Sequence, residues 1–194
     1  MERHDIPLRC RCGAVQGTAL GVNEELCNHA VCYCDDCQAF ARELGNSSNV
    51  LDRNGGTDVF QMPASSLVLT KGIEHVRCLR LTPNGTWRWY AGCCNTPIGN
   101  TLGPAWPFVG VIHNFIALGA NRLALLGPVR GYVYTRYAHG ELTTEQRRNS
   151  DRPWFILTSL LKLLIWKLQG RNKPSPFFNS KGLPLCQPKV VQPA

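Results

Sequence analysis

The 194-residue chain has no apolar run long enough to span a bilayer, no internal repeat and no low-complexity tract. Its longest strongly apolar stretch, Trp154 to Leu168, covers 15 residues. As a helix it would measure roughly 22 Å, short of the ~30 Å hydrocarbon core of a membrane. The opening residues, Met1 to Pro7, carry charge but not the apolar centre of a secretory signal, so a reducing cytoplasm is the expected compartment. Acidic residues are sparse: 13 Asp and Glu stand against 21 Lys and Arg, for a formal net charge of +8. Yet no predicted strand or helix interleaves basic with aromatic residues as nucleic-acid readers do, and no nucleic-acid partner is expected. The excess is uneven, because residues 136–194 hold ten Lys and Arg against three Asp and Glu. A preference for an anionic surface belongs to that part of the chain.

Cysteine, by contrast, is abundant. The ten thiols fall in tight groups at 10/12, 32/34/37 and 93/94, with Cys27, Cys78 and Cys186 solitary. A secreted disulfide framework spreads its cysteines, whereas adjacent thiols suit a metal. In Cys32-Tyr-Cys34-Asp-Asp-Cys37 the first two thiols share a face of an extended chain. The third rejoins them if the chain turns at Asp35-Asp36 into a helix over 37–44. Three small buried hydrophobes, or a redox Cys-x-x-Cys at a helix start, are the competing readings. A dithiol oxidoreductase needs two sulfurs and not three, which favours metal. Zinc is favoured over an iron–sulfur cluster because no fourth cysteine stands at a matching interval. Three protein ligands leave a tetrahedral Zn²⁺ one open position, the arrangement of a catalytic site.

Cys10 and Cys12 supply half of a second tetrahedral site, and Cys94, before Asn95-Thr-Pro, is the obvious third ligand. The fourth is open. Cys93 is adjacent, and neighbours on a strand face opposite ways unless the chain is kinked at Gly92. His29 is a weaker candidate, as ligand or as hydrogen-bond partner of a metal-bound group. Asp35 and Asp36 read as a turn and an acidic helix cap.

Elsewhere the pattern is β-rich. Short strands are expected around a knuckle in 8–20 with Gly13 at the turn, at 26–34, and as an antiparallel meander over 57–92. Further strands are expected within 106–113 and 129–135, and 115–126 fits either strand or helix. Thr143 reads as a helix cap. The 154–168 helix is expected to dock on the domain or, less favoured, to anchor at a membrane surface through Trp154 and Trp166. Three regions follow: a zinc-binding domain over 1–140, a helical segment over 141–169 and a proline-rich arm over 170–194.

Taken in order, Cys-x-Cys-Gly-Ala-Val, Cys-x-Cys-x-x-Cys and Cys-Asn-Thr-Pro make residues 8–136 resemble the glutathione-dependent formaldehyde-activating enzyme and centromere protein V family, in a bacterial branch of it. The resemblance implies a mainly β fold, a β-tent of short antiparallel sheets pinned by zinc, here with an added apolar C-terminal helix. It implies that Cys10, Cys12 and Cys94 hold a structural zinc, and that Cys32, Cys34 and Cys37 hold a catalytic one. Two departures stand out: Ala91 takes the place of a ligand cysteine, and Asn95 stands where glycine is usual. Either Cys93 replaces the missing thiol or the structural site is incomplete. The activity implied is that of a carbon–sulfur lyase on a thiol adduct such as S-hydroxymethylglutathione. An arginine near the triplet, with Arg42 the candidate, would offset the charge of three thiolates. The alternative is a non-catalytic zinc-stabilised module that docks to a membrane or a protein through the helix and basic tail.

Overall fold

The computed structural model describes residues 2–118 and 122–191. Eleven strands among them form two sheets. The smaller contains β1 (His4–Arg9), β2 (Gln16–Val22) and β5 (Leu67–Lys71), ordered β1-β2-β5. The larger contains β3 (Asn28–Cys32), β4 (Thr57–Met62), β6 (Val76–Arg80), β7 (Trp87–Ala91), β8 (Thr96–Thr101), β9 (Val109–Ile112), β10 (Gly131–Val133) and β11 (Lys189–Val190). Its order is β10-β3-β4-β9-β8-β7-β6-β11. The mainly β architecture with a C-terminal helix is therefore what the chain adopts.

The expected meander over 57–92 is corrected. The strand lengths agree closely, but β4 pairs with β3 and β9 while β5 crosses to β2 in the other sheet. Within that stretch β6 and β7 are the consecutive strands that pair antiparallel, and the run continues past it through β8 and β9. The break falls where Pro63 and the 3-10 turn Ala64–Ser66 redirect the chain, since proline cannot donate to a ladder.

Strand alternation sorts side chains onto two faces of the large sheet. One face, carrying Phe60, Trp89, Ile98 and Val111, closes against Ile6, Leu8, Ala19 and Leu67 of the small sheet to form the main core. The other meets α1 (Asp35–Glu43), whose Phe40, Ala41 and the following Leu44 pack with Leu79, Ile112 and Val50 of the short helix α2 (Ser47–Val50). β8 and β9 are buried along their whole length, as strands covered on both faces must be.

Of the ambiguous stretch 115–126, Arg122–Leu126 is a short helix, α3, and residues 119–121 lie outside those described. A capping box at Thr143 opens the helix Thr144–Arg148, α4: Gln146 N donates to Thr143 Oγ1, and Thr143 N donates back to Gln146 Oε1. The apolar helix α5 (Pro153–Leu168) follows, with proline at its first turn, where no N–H is needed. The arm from Gly170 to Val191 lies on the domain. Its Phe177 and Phe178 are buried against Trp87 and Trp89, and its β11 joins the sheet edge beside β6.

Candidate metal centre

β3 delivers Cys32 on the face opposite its core neighbours, and Cys34 caps the start of α1 in an extended conformation. Helical geometry then returns Cys37 within the first turn. The Sγ atoms of Cys32, Cys34 and Cys37 all lie within 4.8 Å of one another, with Cys32 and Cys34 at 3.3 Å. Tetrahedral Zn–S bonds of ~2.3 Å would set sulfurs about 3.8 Å apart, so this set fits a zinc-sized ion. Among the described residues no fourth His, Cys, Asp or Glu atom joins the group, and all three thiols are free.

The cluster opens on a cavity of about 470 Å³. Its floor is one face of the large sheet, because Ala30, Cys32, Val59, Gln61, Gly110, Asn100 and Arg88 share strand parity across the five paired strands β3, β4, β9, β8 and β7. Tyr134 and Tyr137, beyond β10, flank it. A side chain at Gly110 would meet Val59 Cγ1 at 2.8 Å, so the missing Cβ keeps this floor open.

The cation beside the thiols is Arg88, from the middle of β7, and not Arg42, which is exposed on the far side of α1. Arg88 is 3% exposed. One guanidinium nitrogen donates to Cys37 Sγ at 3.8 Å and, at 3.5 Å, to Asn100 Oδ1. The other donates to Asp36 Oδ2 at 3.1 Å. Its Nε has no hydrogen-bond partner among the described residues. The residue was legible only as a charge set between Trp87 and Trp89, an arginine in an otherwise core-forming strand. Asp36 thus serves Arg88, and the helix cap position belongs to Cys34, which makes no side-chain cap bond.

Donation from the Cys32 and Cys34 thiols holds Cys37 well below the usual thiol range, against its burial, and the Arg88 charge adds to this. Cys32 is pushed up, first by its bond to Cys34 and then by that to Cys37. For Cys34 the bond to Cys32 pulls down, but the bond to Cys37, burial and the Cys37 charge outweigh it, giving about 12. Of the three thiols, Cys37 is therefore the first to ionise.

Cys10, Cys12, Cys93 and Cys94 form the second group, again with every Sγ within 4.8 Å of the others. Cys10–Cys12 is 3.6 Å, Cys12–Cys93 3.3 Å and Cys93–Cys94 3.9 Å, close to the spacing of a four-sulfur tetrahedron. The turn between β7 and β8 brings both neighbours to one side: Cys94 N donates to Ala91 O, and Asn95 adopts φ +53°, a left-handed conformation that asparagine tolerates. Ala91 itself is fully buried in the core, so Cys93 completes the group in its place. Burial pushes the Cys94 thiol up, but bonds from the Thr96 hydroxyl and the Cys12 amide outweigh it and bring it to about 6.

His29 is in neither group. Buried within β3, it stacks on Phe60 at 4.1 Å and bonds to Gly127 O and to Asp58. Cys27, Cys78 and Cys186 also stand apart, as expected of solitary thiols.

The two cysteine groups are compatible with metal binding, and no helix among the described residues is long and apolar enough to cross a membrane. No curated protein matches the chain. One family model covers it over residues 2–187, and the chain belongs to that family, a family of unknown function designated DUF6151.

Proposed function

We propose that the protein is a zinc-dependent, carbon–sulfur lyase-like enzyme acting on a small thiol adduct, with Cys32, Cys34 and Cys37 at its reactive centre. The observation that carries this reading is three converging sulfurs on the wall of a cavity, with no fourth donor from the described chain. The four-cysteine knuckle has no such opening in its donor set and is assigned a structural zinc. The order of the cysteine motifs, which resembles that of glutathione-dependent formaldehyde-activating enzymes, makes an adduct such as S-hydroxymethylglutathione the first substrate to test.

Bound by the triplet, zinc would supply a Lewis acid that lowers the pKa of a hydroxyl or thiol presented to its open side. The chain's own residues do the rest. Arg88 adds to the stabilisation of the Cys37 thiolate and offsets the charge of three thiolates. Val59, Phe108 and Tyr134 line the cavity and give the adduct apolar surface to pack on beside the cluster. In the lyase direction the adduct's O–H proton is lost, its C–O bond becomes a carbonyl, the C–S bond breaks and the released sulfur takes up a proton. No electrons leave the system, so no redox partner is required.

Metal analysis of the purified protein and of Cys34→Ser and Cys94→Ser tests the assignment. Two zinc ions per chain are expected, with one lost in each variant. Breakdown of S-hydroxymethylglutathione should fall at least 100-fold in Cys34→Ser. Turnover independent of the triplet, or none in the zinc-loaded native protein, would overturn the reading.

A further inference from the structure

Helix α5 was expected to dock on the sheet, but only Phe155 and Trp166 of its 16 residues are buried. At 100° per residue these two fall about 20° apart, with Ser159 and Lys162 close by on the same side. The opposite half of the circumference runs through Ile156, Leu160, Leu164, Leu157, Leu168 and Leu161 to Trp154 and Ile165. Every one of these is exposed, Trp154 to 73% and Leu168 to 79%. Lys167 is the only charge on that arc, and its ammonium is drawn aside over the Trp106 ring, 4.1 Å from the centroid. Trp166, one of the two expected anchors, is buried, and the half-exposed Trp106 stands near that end instead.

The charge around this face has one sign. Residues 147–190 hold nine Lys and Arg and a single acid, Asp151. Asp151 is consumed locally by the backbone N–H groups of Tyr134 and Thr135 and the Thr135 hydroxyl. Two copies packed through α5 would bring like charge against like, which disfavours self-association as the means of covering the leucines. Beneath the N-terminal half of the helix lies a cavity of about 410 Å³ lined by Arg130, Arg152, Lys162, Asn28 and Trp154. Lys162 spends two of its three N–H donors there, on Cys27 O and Asn28 Oδ1, and retains one.

We infer that α5 lies in the interface of an anionic phospholipid membrane, with its leucine face among the acyl chains and the Arg130–Arg152–Lys162 cavity around a lipid phosphate. A helix of about 24 Å cannot span the bilayer, but lying flat it presents its whole apolar half to the lipid. The basic surroundings supply the attraction that a single amphipathic segment otherwise lacks.

The test is flotation of the full-length protein with phosphatidylcholine vesicles, with and without 30 mol% phosphatidylserine. Binding at least tenfold tighter to the anionic vesicles, weakened by 0.5 M salt, is expected. Leu161→Glu/Leu164→Glu should reduce it at least tenfold. Arg130→Gln/Arg152→Gln should reduce it about fivefold per residue, the usual contribution of a basic side chain at such a surface. All four side chains are exposed, so thermal melting should be unchanged, and Leu157→Glu/Leu168→Glu repeats the test on other turns. Equal binding to neutral vesicles, no binding to either, or a lipid-independent dimer that Leu161→Glu/Leu164→Glu dissolves would each overturn the inference.

Discussion

Replacing Arg88 with methionine removes the guanidinium buried against the three-thiol cluster while keeping an unbranched side chain in the strand. At 3.8 Å from Cys37 Sγ, a unit charge in a medium of effective dielectric about 20 is worth about 4 kcal/mol. Asp36, 3.1 Å from the other side of the guanidinium and 55% exposed, cancels about half of this, leaving about 2 kcal/mol, or roughly 30-fold in an equilibrium constant. That energy enters zinc affinity in a pH-dependent way. The metal-free cluster with Cys37 ionised carries −1, and three thiolates around a divalent ion also sum to −1, so Arg88 stabilises both alike. The fully protonated cluster carries no charge and gains nothing from Arg88. The variant therefore loses most affinity at low pH, where the native metal-free cluster is itself protonated. The loss shrinks as pH rises from the depressed native value of Cys37 through the raised value in the variant, and vanishes above it.

Competition with a chromogenic chelator between pH 6 and pH 10 measures this, with the four-cysteine knuckle as an internal reference. A loss that is largest at the acidic end, with about 30-fold as its ceiling, and that fades at the alkaline end is expected. Unchanged affinity throughout, or an equal loss at every pH, would refute the electrostatic role and reduce Arg88 to a packing element.

Two further outcomes follow from the geometry. Cys93→Ser should lose one zinc equivalent and lower the melting temperature by about 4–8 °C, as a loss of roughly 2 kcal/mol does in a chain of this size; calorimetry alongside metal analysis checks it, and native metal content would show that Cys93 is not a ligand. His29→Ala removes a buried ring with two hydrogen bonds and a stacking partner. It should cost about 3 kcal/mol while leaving both zinc equivalents in place, and a metal-depleted variant would restore His29 to the site.

Much of this was legible in the chain because the signals were local. Cys32, Cys34 and Cys37 converge through two short-range rules, the alternation of a strand and the first turn of a helix, and six residues are enough to state both. Cys93 was harder, since strand alternation argues that neighbours diverge. What reverses this is a turn whose Asn95 accepts a left-handed φ, a property of backbone geometry that the adjacent thiols do not announce. Arg88 was out of reach for a different reason: it is 51 residues from Cys37 in sequence, and only the register of β7 in an eight-stranded sheet sets the two side by side. The strand pairing around β5 failed likewise, because edge and crossover choices depend on which face must be covered, and composition is silent on that.

β7 ties these observations together. Its Arg88 points at the three-thiol cluster, and its Trp89 points the other way, stacked on Phe177 of the arm at 4.7 Å with its indole N–H donating to Thr101 Oγ1. Two residues beyond its end, Cys93 and Cys94 enter the knuckle with Cys10 and Cys12. A guanidinium held under 4 Å from a thiolate and largely out of water keeps its position only if the strand carrying it cannot slide. β7 is fixed by pairing on both edges, by the aromatic arm on its back and by four sulfurs at its end. The second cysteine group and the proline-rich arm are therefore not appendages to the cavity: both restrain the strand that sets its electrostatics. Metal in the knuckle would stiffen that restraint without contributing an atom to the reactive centre.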